Sequence, residues 1–217
     1  TGTPPRVHGD RVYSDEMTMP ELPTLAQTFR DAGYQAYDMY RDRPIDTPSI
    51  GAWADDPEQL PHYLRGPRAQ GERLADHEVR SARRAFYALC THIDHQLRVV
   101  IGTLREEGLL DDTIILFTSD HGDMLGKHGL WAKRMFYEES AAVPMLLCGV
   151  RGDGRVAAGG LDGRLVGLQD VMPTLLDLAG IPVPESVQGL SMVGEARRPH
   201  LYGEIGNGPA STRMVHD

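Results

Sequence analysis

The chain contains one short run that is apolar almost throughout and is followed at once by polar residues. The run is Thr113-Ile-Ile-Leu-Phe-Thr118, and Ser119-Asp-His-Gly122 comes directly after it. A continuous apolar run with β-branched residues is typical of a strand buried on both faces of a mostly parallel sheet. Open sheets of this kind bind ligands beyond the carboxyl ends of their strands. The run therefore predicts an open, mostly parallel α/β sheet with helices on both faces and a ligand site at its end.

The rest of the chain alternates between predicted helices and strands. Apolar residues recur at three- and four-residue steps over Asp76–Glu107, which predicts a long amphipathic helix that stops at Gly108. The apolar run Val143–Cys148 predicts a second buried strand. The remaining predictions are a helix over Glu21–Gly33, a strand over Tyr34–Tyr40, and a helix over Val166–Ala179 that is broken near Pro173 and stopped at Gly180.

Length and local composition predict a single α/β domain over residues 1–217, because one core commonly holds on the order of 100–200 residues. Residues 41–75 are charged and rich in proline, so they predict an irregular surface excursion within this domain. Residues 181–217 are expected to begin a C-terminal region.

Charge and composition limit the partners of the chain. The net charge of -9 argues against a general nucleic-acid binder, and there is no apolar run of the roughly 20 residues that a membrane span needs. An anionic ligand must therefore be held by local cations or a metal. Cys90 and Cys148 predict buried free thiols, which favours a reducing, cytoplasmic location, with the periplasm or secretion as alternatives since a leader is either absent or removed. Homo-oligomerisation stays open.

Asp120 and His121 are the candidate metal ligands. Both follow the apolar run directly, so their side chains are expected in the crevice at the sheet edge. A carboxylate oxygen and an imidazole nitrogen are suitable ligands for one divalent cation, although two ligands do not complete a shell. The alternative is that Asp120 caps a following helix and His121 is a satisfied polar residue.

Further cationic residues follow in a glycine-containing segment that can fold back over the strand end. A lysine such as Lys133 can bind an anionic ester as a point charge, and His128 can donate a proton to a leaving oxygen. For Lys127 and Arg134 a solvated basic loop is the favoured interpretation, and for His128 the catalytic and solvated interpretations both stand.

Several segments resemble one known family. They are Thr118-Ser-Asp-His-Gly-Asp123, Gly126-Lys-His-Gly-Leu-Trp-Ala-Lys133, Tyr137-Glu-Glu-Ser-Ala-Ala-Val-Pro-Met-Leu-Leu147, and Asp170-Val-Met-Pro-Thr-Leu-Leu-Asp-Leu-Ala-Gly-Ile-Pro182. Together they resemble the sulfatase family of the alkaline phosphatase superfamily, which includes arylsulfatases, choline sulfatase and phosphonate monoester hydrolases. The resemblance implies an alkaline phosphatase-like α/β fold, incomplete in this chain, and hydrolysis of a small anionic ester of sulfate or, alternatively, of a phosphonate or phosphate.

The resemblance also implies roles for individual residues. Asp120 and His121 match the pair that ligates the family's catalytic metal, and Lys133 matches the lysine that contacts the sulfuryl or phosphoryl oxygens. Calcium is the expected metal, and manganese or zinc are alternatives because an imidazole ligand suits them.

The family's nucleophile, a formylglycine made from Cys or Ser, is expected upstream of this chain. Thr1-Gly2 and His8-Gly9 resemble the segment that trails the nucleophile, and Thr3-Pro-Pro-Arg6 lacks a side chain to modify because Gly2 stands four residues before Arg6. Two hypotheses follow: these residues belong to a longer enzyme, or they form a noncatalytic remnant that binds an ion or anion without turnover.

Overall fold

The computed structural model describes residues 36–51, 74–133, 135–206 and 211–217. Two compact units share the chain, with boundaries after Asp46, Ala75 and Arg98. The helix predicted over Glu21–Gly33 and most of the excursion lie outside the described residues. The part of the excursion at 41–51 contains neither helix nor strand, as predicted. The single-domain assignment stays a prediction.

The long helix, α1, spans Asp76–Glu106, and the prediction of its extent and of its end before Gly108 is confirmed. Its N-terminal half binds Tyr40 and the first residues of the excursion. Tyr40 Oη lies 2.8 Å from Thr91 Oγ1, and Arg84 Nε donates to the Tyr40 carbonyl oxygen at 2.8 Å. Arg83 also pairs with Asp46 at 3.0 Å. Polar contacts along one side of α1 therefore fix residues 40–46 within the first unit.

The strand predicted over Tyr34–Tyr40 is wrong for the residues that the structure describes. Asp38–Tyr40 form a turn of 3₁₀ helix instead. Arg41 pairs with Asp38 at 2.5 Å, three residues away, and the backbone N–H of Tyr40 donates to the Tyr37 carbonyl at 3.0 Å. The backbone bond satisfies locally two groups that in a strand would need partners on a neighbouring strand, and the ion pair stabilises the turn.

The apolar run Thr113–Thr118 forms β1, Ile115–Thr118, and the second predicted strand forms β2, Met145–Cys148. They pair antiparallel, with Ile115 opposite Cys148 and Thr118 opposite Met145. Burial on both faces is wrong for β2, because its residues alternate and Leu146 is 55% exposed. Within the described residues both sheets are two-stranded and antiparallel, so the parallel pairing expected of the wider sheet is not among them.

The two thiols were predicted to be buried, and the structure contradicts this. Cys90 and Cys148 are both free and exposed. Cys148 shares with Leu146 the face of β2 that the described residues leave open, and Cys90 has an exposed side chain on α1. An apolar sequence context thus did not translate into burial at either position.

Between Gly149 and Pro199 the chain is organised around one buried carboxylate. A 3₁₀ turn, Leu168–Asp170, leads into α3, Val171–Leu178, which follows the short helix α2, Glu138–Ala141. Asp170 is 1% exposed and accepts hydrogen bonds from the backbone N–H groups of Gly167 and Leu190, at 2.9 and 2.8 Å. Arg198 donates to both of its oxygens, at 2.9 and 2.7 Å. The charge of Asp170 is therefore fully compensated by a bidentate guanidinium and two amides.

The helix predicted over Val166–Ala179 begins later than expected but ends where the sequence indicated. Pro173 occupies the first turn of α3, where its missing N–H has no intrahelical partner, so the helix is not broken there. At the other end Gly180 has φ +68°, and its N–H and that of Ile181 donate to Asp177 and Leu176. This closing pattern requires the left-handed conformation that glycine adopts most easily.

The C-terminal region forms a second small sheet. Its strands are β3, Leu201–Ile205, and β4, Thr212–His216, which pair antiparallel with Leu201 opposite His216. Gly203 of β3 lies against the ring of Phe136, close enough that an added Cβ would be 2.7 Å from a ring carbon. None of the described helices combines the length and apolarity that a membrane crossing requires.

Candidate active site

Asp120 and His121 lie directly beyond the end of β1, as the sequence predicted. The Asp120 carboxylate is 81% exposed and the His121 side chain 34%. Asp120 Oδ2 and His121 Nε2 are 3.5 Å apart. This separation is less than twice the roughly 2.0–2.4 Å of a metal–ligand bond, so both atoms can contact one ion.

The ring of His121 is held at both nitrogens. Nδ1 lies 2.6 Å from the carbonyl oxygen of Gly122, and Nε2 lies 2.5 Å from Nζ of Lys133. A carbonyl oxygen only accepts, so Nδ1 carries the proton and Nε2 presents its lone pair to the lysine. This is the tautomer in which Nε2 can ligate a metal while a backbone carbonyl orients the ring.

The loop between His121 and Lys133 doubles back so that its two ends meet. The N–H of Met124, whose side chain is fully buried, donates to the Ala132 carbonyl at 2.9 Å, and the N–H of Gly126 donates to Leu130 at 2.9 Å. These two backbone hydrogen bonds bring Lys133 back to the end of β1. Without them a lysine 12 positions away would have no fixed place beside His121.

Three residues of this loop other than glycine have positive φ angles. They are Leu125 at 46°, His128 at 55° and Ala132 at 62°. Such conformations are uncommon for residues with a Cβ and cost on the order of 1–3 kcal/mol each. The surrounding contacts must outweigh this cost, and strained residues of this kind cluster at functional sites more often than elsewhere.

Gly122 fits closely against α2. Its N–H donates to the Ser140 carbonyl at 2.9 Å, and a Cβ at this position would lie 2.1 Å from the Glu139 carbonyl oxygen. No side chain larger than hydrogen can stand there without a backbone shift. Because Gly122 also accepts the hydrogen bond from His121 Nδ1, this close approach fixes the orientation of the imidazole.

His128 and Lys127 lie on the 3₁₀ turn Lys127–Gly129. The structure places the His128 ring against Tyr137, with ring centroids 4.8 Å apart and planes inclined at 39°. Lys127 pairs with Glu139 at 3.3 Å, which adds an acidic partner to the solvated lysine that the sequence favoured. Arg134 is outside the described residues. The start of the loop, at Gly122, and its middle, at this turn, thus both contact the segment Tyr137–Ser140.

Glu139 responds to these contacts. The backbone N–H of Glu139 itself, followed by the ammonium of Lys127, holds the pKa of its carboxyl below the usual 4.5, against the opposing effect of burial. His128 adds a smaller electrostatic contribution of the same sign. The carboxylate is therefore ionised at neutral pH and balances the basic turn.

The structure thus brings together three of the four predicted site residues, Asp120, His121 and Lys133, and places His128 beside Tyr137 and Glu139. The sequence alone assigns no role to Tyr137, Glu139 or Gly122. The only sequence signal that these three residues share is their position in motif segments. Two cavities, of about 220 and 370 Å³, are lined by residues between 145 and 198 and by none of the four predicted site residues.

A comparison with protein-family models identifies the chain. The sulfatase family model matches residues 48–181, which include β1, the site loop and β2. The chain belongs to the sulfatase family. It is 36% identical over 187 residues to an arylsulfatase of Clostridium perfringens, with 82% of this chain and 38% of that protein covered. It is 39% identical over 193 residues to a choline-sulfatase of Rhizobium meliloti, with 84% and 36% covered.

Solved structures agree on the fold of this sulfatase-family chain. A phosphonate monoester hydrolase from Silicibacter pomeroyi superimposes with a TM-score of 0.70 at 26% identity, covering 83% of this chain and 42% of that one. A second structure, from Bacteroides thetaiotaomicron, superimposes with a TM-score of 0.64 at 23% identity, covering 84% of this chain and 46% of that one. The alkaline phosphatase-like α/β fold is therefore confirmed, and the chain spans less than half the length of these relatives.

Proposed function

We propose that this chain contributes part of the active site of a metal-dependent sulfuric ester hydrolase. The observation that carries the proposal is that a carboxylate oxygen of Asp120 and the ammonium of Lys133 lie 3.5 and 2.5 Å from Nε2 of His121. Relatives named arylsulfatase and choline-sulfatase support the choice of a sulfate ester.

The donor atoms of the pair fit a divalent cation. His121 already has the tautomer that a metal ligand needs, and Asp120 adds an anionic oxygen on the same side. Within the described ranges no group of three or more His, Cys, Asp and Glu side chains forms a cluster, so further ligands have to come from elsewhere or from solvent and substrate. We propose calcium, with manganese or zinc as alternatives that the imidazole would favour. When bound, such an ion polarises the ester and stabilises charge that develops on its oxygens.

The residues of the chain would divide the remaining work. Asp120 and His121 hold the cation, and Lys133 binds an oxygen of the sulfuryl group through its ammonium. His128 is the proposed donor of a proton to the leaving oxygen. A covalent route also needs a nucleophile, for which the family uses formylglycine, and none of these four residues fills that role.

The test uses the product of the complete gene and an aryl sulfate with a chromogenic leaving group. We expect turnover that a chelator abolishes and an added divalent ion restores, and that Asp120→Asn lowers by orders of magnitude. Asp112→Asn, an acidic residue on the 3₁₀ turn before β1, is the matched control and should leave turnover unchanged. Turnover that is indifferent to the chelator would overturn the proposed roles of Asp120 and His121.

The second candidate is hydrolysis of a phosphonate or phosphate monoester. It is favoured by one observation, the TM-score of 0.70 with a protein named phosphonate monoester hydrolase. Sulfate and phosphonate esters are both tetrahedral anions, so the two activities are separated by the ratio of kcat/KM for matched aryl sulfate and aryl phosphonate substrates. A chain that binds metal or sulfate, shown by a raised Tm, but turns over neither ester would instead be the noncatalytic remnant.

A further inference from the structure

His121 Nε2 has one lone pair, and the structure shows what uses it. Nζ of Lys133 lies 2.5 Å from Nε2, and because the other ring nitrogen carries the proton, the ammonium is the donor in this hydrogen bond. Asp120 Oδ2 lies 3.5 Å from the same nitrogen. The ammonium of Lys133 therefore contacts one of the two atoms that are proposed to hold a divalent cation.

One lone pair cannot serve two cations. A metal ligated through Nε2 would need the electron pair that now accepts the hydrogen bond from Lys133, and two positive charges beside one nitrogen would repel each other. Ligation of a metal by His121 thus requires that the ammonium leave Nε2. The free energy of breaking that contact opposes metal binding, so it weakens the affinity for the metal.

An oxyanion gives the displaced ammonium another partner. A sulfate oxygen accepts a charge-assisted hydrogen bond from Lys133, and its negative charge offsets the repulsion between ammonium and metal. Any ligand that draws Lys133 away from Nε2 makes the lone pair available. By linkage, the same free energy must then appear as tighter oxyanion binding when the metal is present.

We propose that Lys133 couples the two binding events: it competes with the metal for His121 until an oxyanion binds it, so sulfate raises the affinity for the divalent ion. This rests on the proposed function for the identity of the two ligands but concerns their binding only. Lys133 then does more than bind the anion, because its contact with His121 makes metal binding depend on anion binding.

Calorimetric titration of the complete gene product with calcium chloride, with and without inorganic sulfate at constant ionic strength, tests the proposal. We expect sulfate to lower the Kd for calcium about five-fold or more, within the usual range of coupling between sites. In Lys133→Met we expect calcium to bind more tightly than in the unmodified protein when sulfate is absent, and sulfate to change the Kd less than two-fold. Coupling that persists undiminished in Lys133→Met, or calcium binding that is unchanged or weaker in this variant, would overturn it.

The matched control is Lys127→Met, because Lys127 belongs to the same loop and pairs with Glu139. It removes the same charge and should keep the coupling of the unmodified protein; a loss of coupling equal to that in Lys133→Met would contradict a specific role for Lys133. Thermal unfolding of each variant verifies that it is folded.

A second measurement needs no substitution. Acylation of lysines by an amine-reactive reagent, read peptide by peptide by mass spectrometry, should label Lys133 faster when calcium is added and more slowly when sulfate follows. Labelling of Lys133 that does not respond to calcium would overturn the competition. Both readouts are independent of turnover, so an inactive protein that shows the coupling would fail the proposed function while supporting this inference.

Discussion

Nζ of Lys133 and Nε2 of His121 are 2.5 Å apart, although the two residues are separated by 12 positions in the chain. The loop between them is closed by backbone hydrogen bonds from Met124 to Ala132 and from Gly126 to Leu130. The contact therefore depends on the path of the backbone as much as on the two side chains. Substitutions that move this path should alter the site without touching either residue.

Gly122→Ala is the most direct of these. The new methyl group would lie 2.1 Å from the Glu139 carbonyl oxygen, so the backbone of the loop or of α2 must shift. We expect a loss of about 1–3 kcal/mol in the free energy of unfolding, measured by urea denaturation, and weaker metal binding because the carbonyl that orients His121 moves. Gly154→Ala, where no atom lies within 4 Å of the added Cβ, should stay within about 0.5 kcal/mol. Equal losses at both positions would contradict the close approach.

Asp170→Asn should be among the most destabilising polar substitutions in the second unit. It leaves the guanidinium of Arg198, 12% exposed, without its counter-charge and turns an amide NH₂ toward a backbone N–H. We expect a loss of about 3–5 kcal/mol by denaturant unfolding. The matched control is Asp111→Asn, which breaks a surface pair with Arg151 at 2.8 Å and should cost less than about 1 kcal/mol. A similar cost for both would argue against the compensated buried charge.

His128→Asn tests general acid catalysis by leaving-group dependence. Asparagine tolerates the positive φ of 55° at this position, so the loop should keep its path. We expect kcat for an alkyl sulfate, whose leaving oxygen needs a proton, to fall about 10²–10⁴-fold. For a nitrophenyl sulfate the fall should be small. His200→Asn, at an exposed position before β3, is the control and should change neither rate. Equal losses on the two substrates would assign His128 a structural role.

The pair of Glu139 and Lys127 should make stability depend on acid pH. Because the pKa of Glu139 is lower in the folded protein than its usual 4.5, its charge stabilises the fold above that value, and the contribution is lost as pH falls through the folded-state pKa. Glu139→Gln should therefore lower the Tm at pH 7, and the difference from the unmodified protein should vanish in strong acid.

Lys127→Met separates the causes of this pH dependence. The hydrogen bond from the backbone N–H of Glu139 is the larger cause of the lowered pKa, so removing the lysine should reduce the pH dependence without abolishing it. The Tm of both variants across acid and neutral pH is the measurement. A Glu139→Gln variant whose deficit in Tm is the same at all pH values would show that the carboxylate charge is not responsible.

The elements that were predictable from sequence are those whose signal extends over many residues. The apolar pattern in Asp76–Glu106 repeats over several helical turns, so no single local contact could favour a different structure there. The segment Tyr34–Tyr40 was too short for that, and a local pair between Asp38 and Arg41 decided its described part in favour of a 3₁₀ turn. For β2 the strand was predictable but its burial was not, since burial depends on what covers each face.

The same distinction applies to the site. The positions of Asp120 and His121 follow from chain order alone, because both come directly after a strand. The contact of Lys133 with His121 could not be predicted, since it depends on three positive φ angles that the residue types at 125, 128 and 132 disfavour. The dense packing of Glu139 against Gly122 links residues 17 positions apart, and sequence shows only that both stand in motifs.

The hydrogen bonds that converge on Asp170 also determine which amide protons should exchange with solvent together. The N–H groups of Gly167 and Leu190 end on its carboxylate, and that of Met192 ends on Thr174 Oγ1, which itself donates to the Asp170 carbonyl. Release of any one of these protons breaks a hydrogen bond to an acceptor in the same connected, buried set. In deuterium oxide the three should therefore exchange at one common rate, because residues 167–192 open as a single cooperative unit.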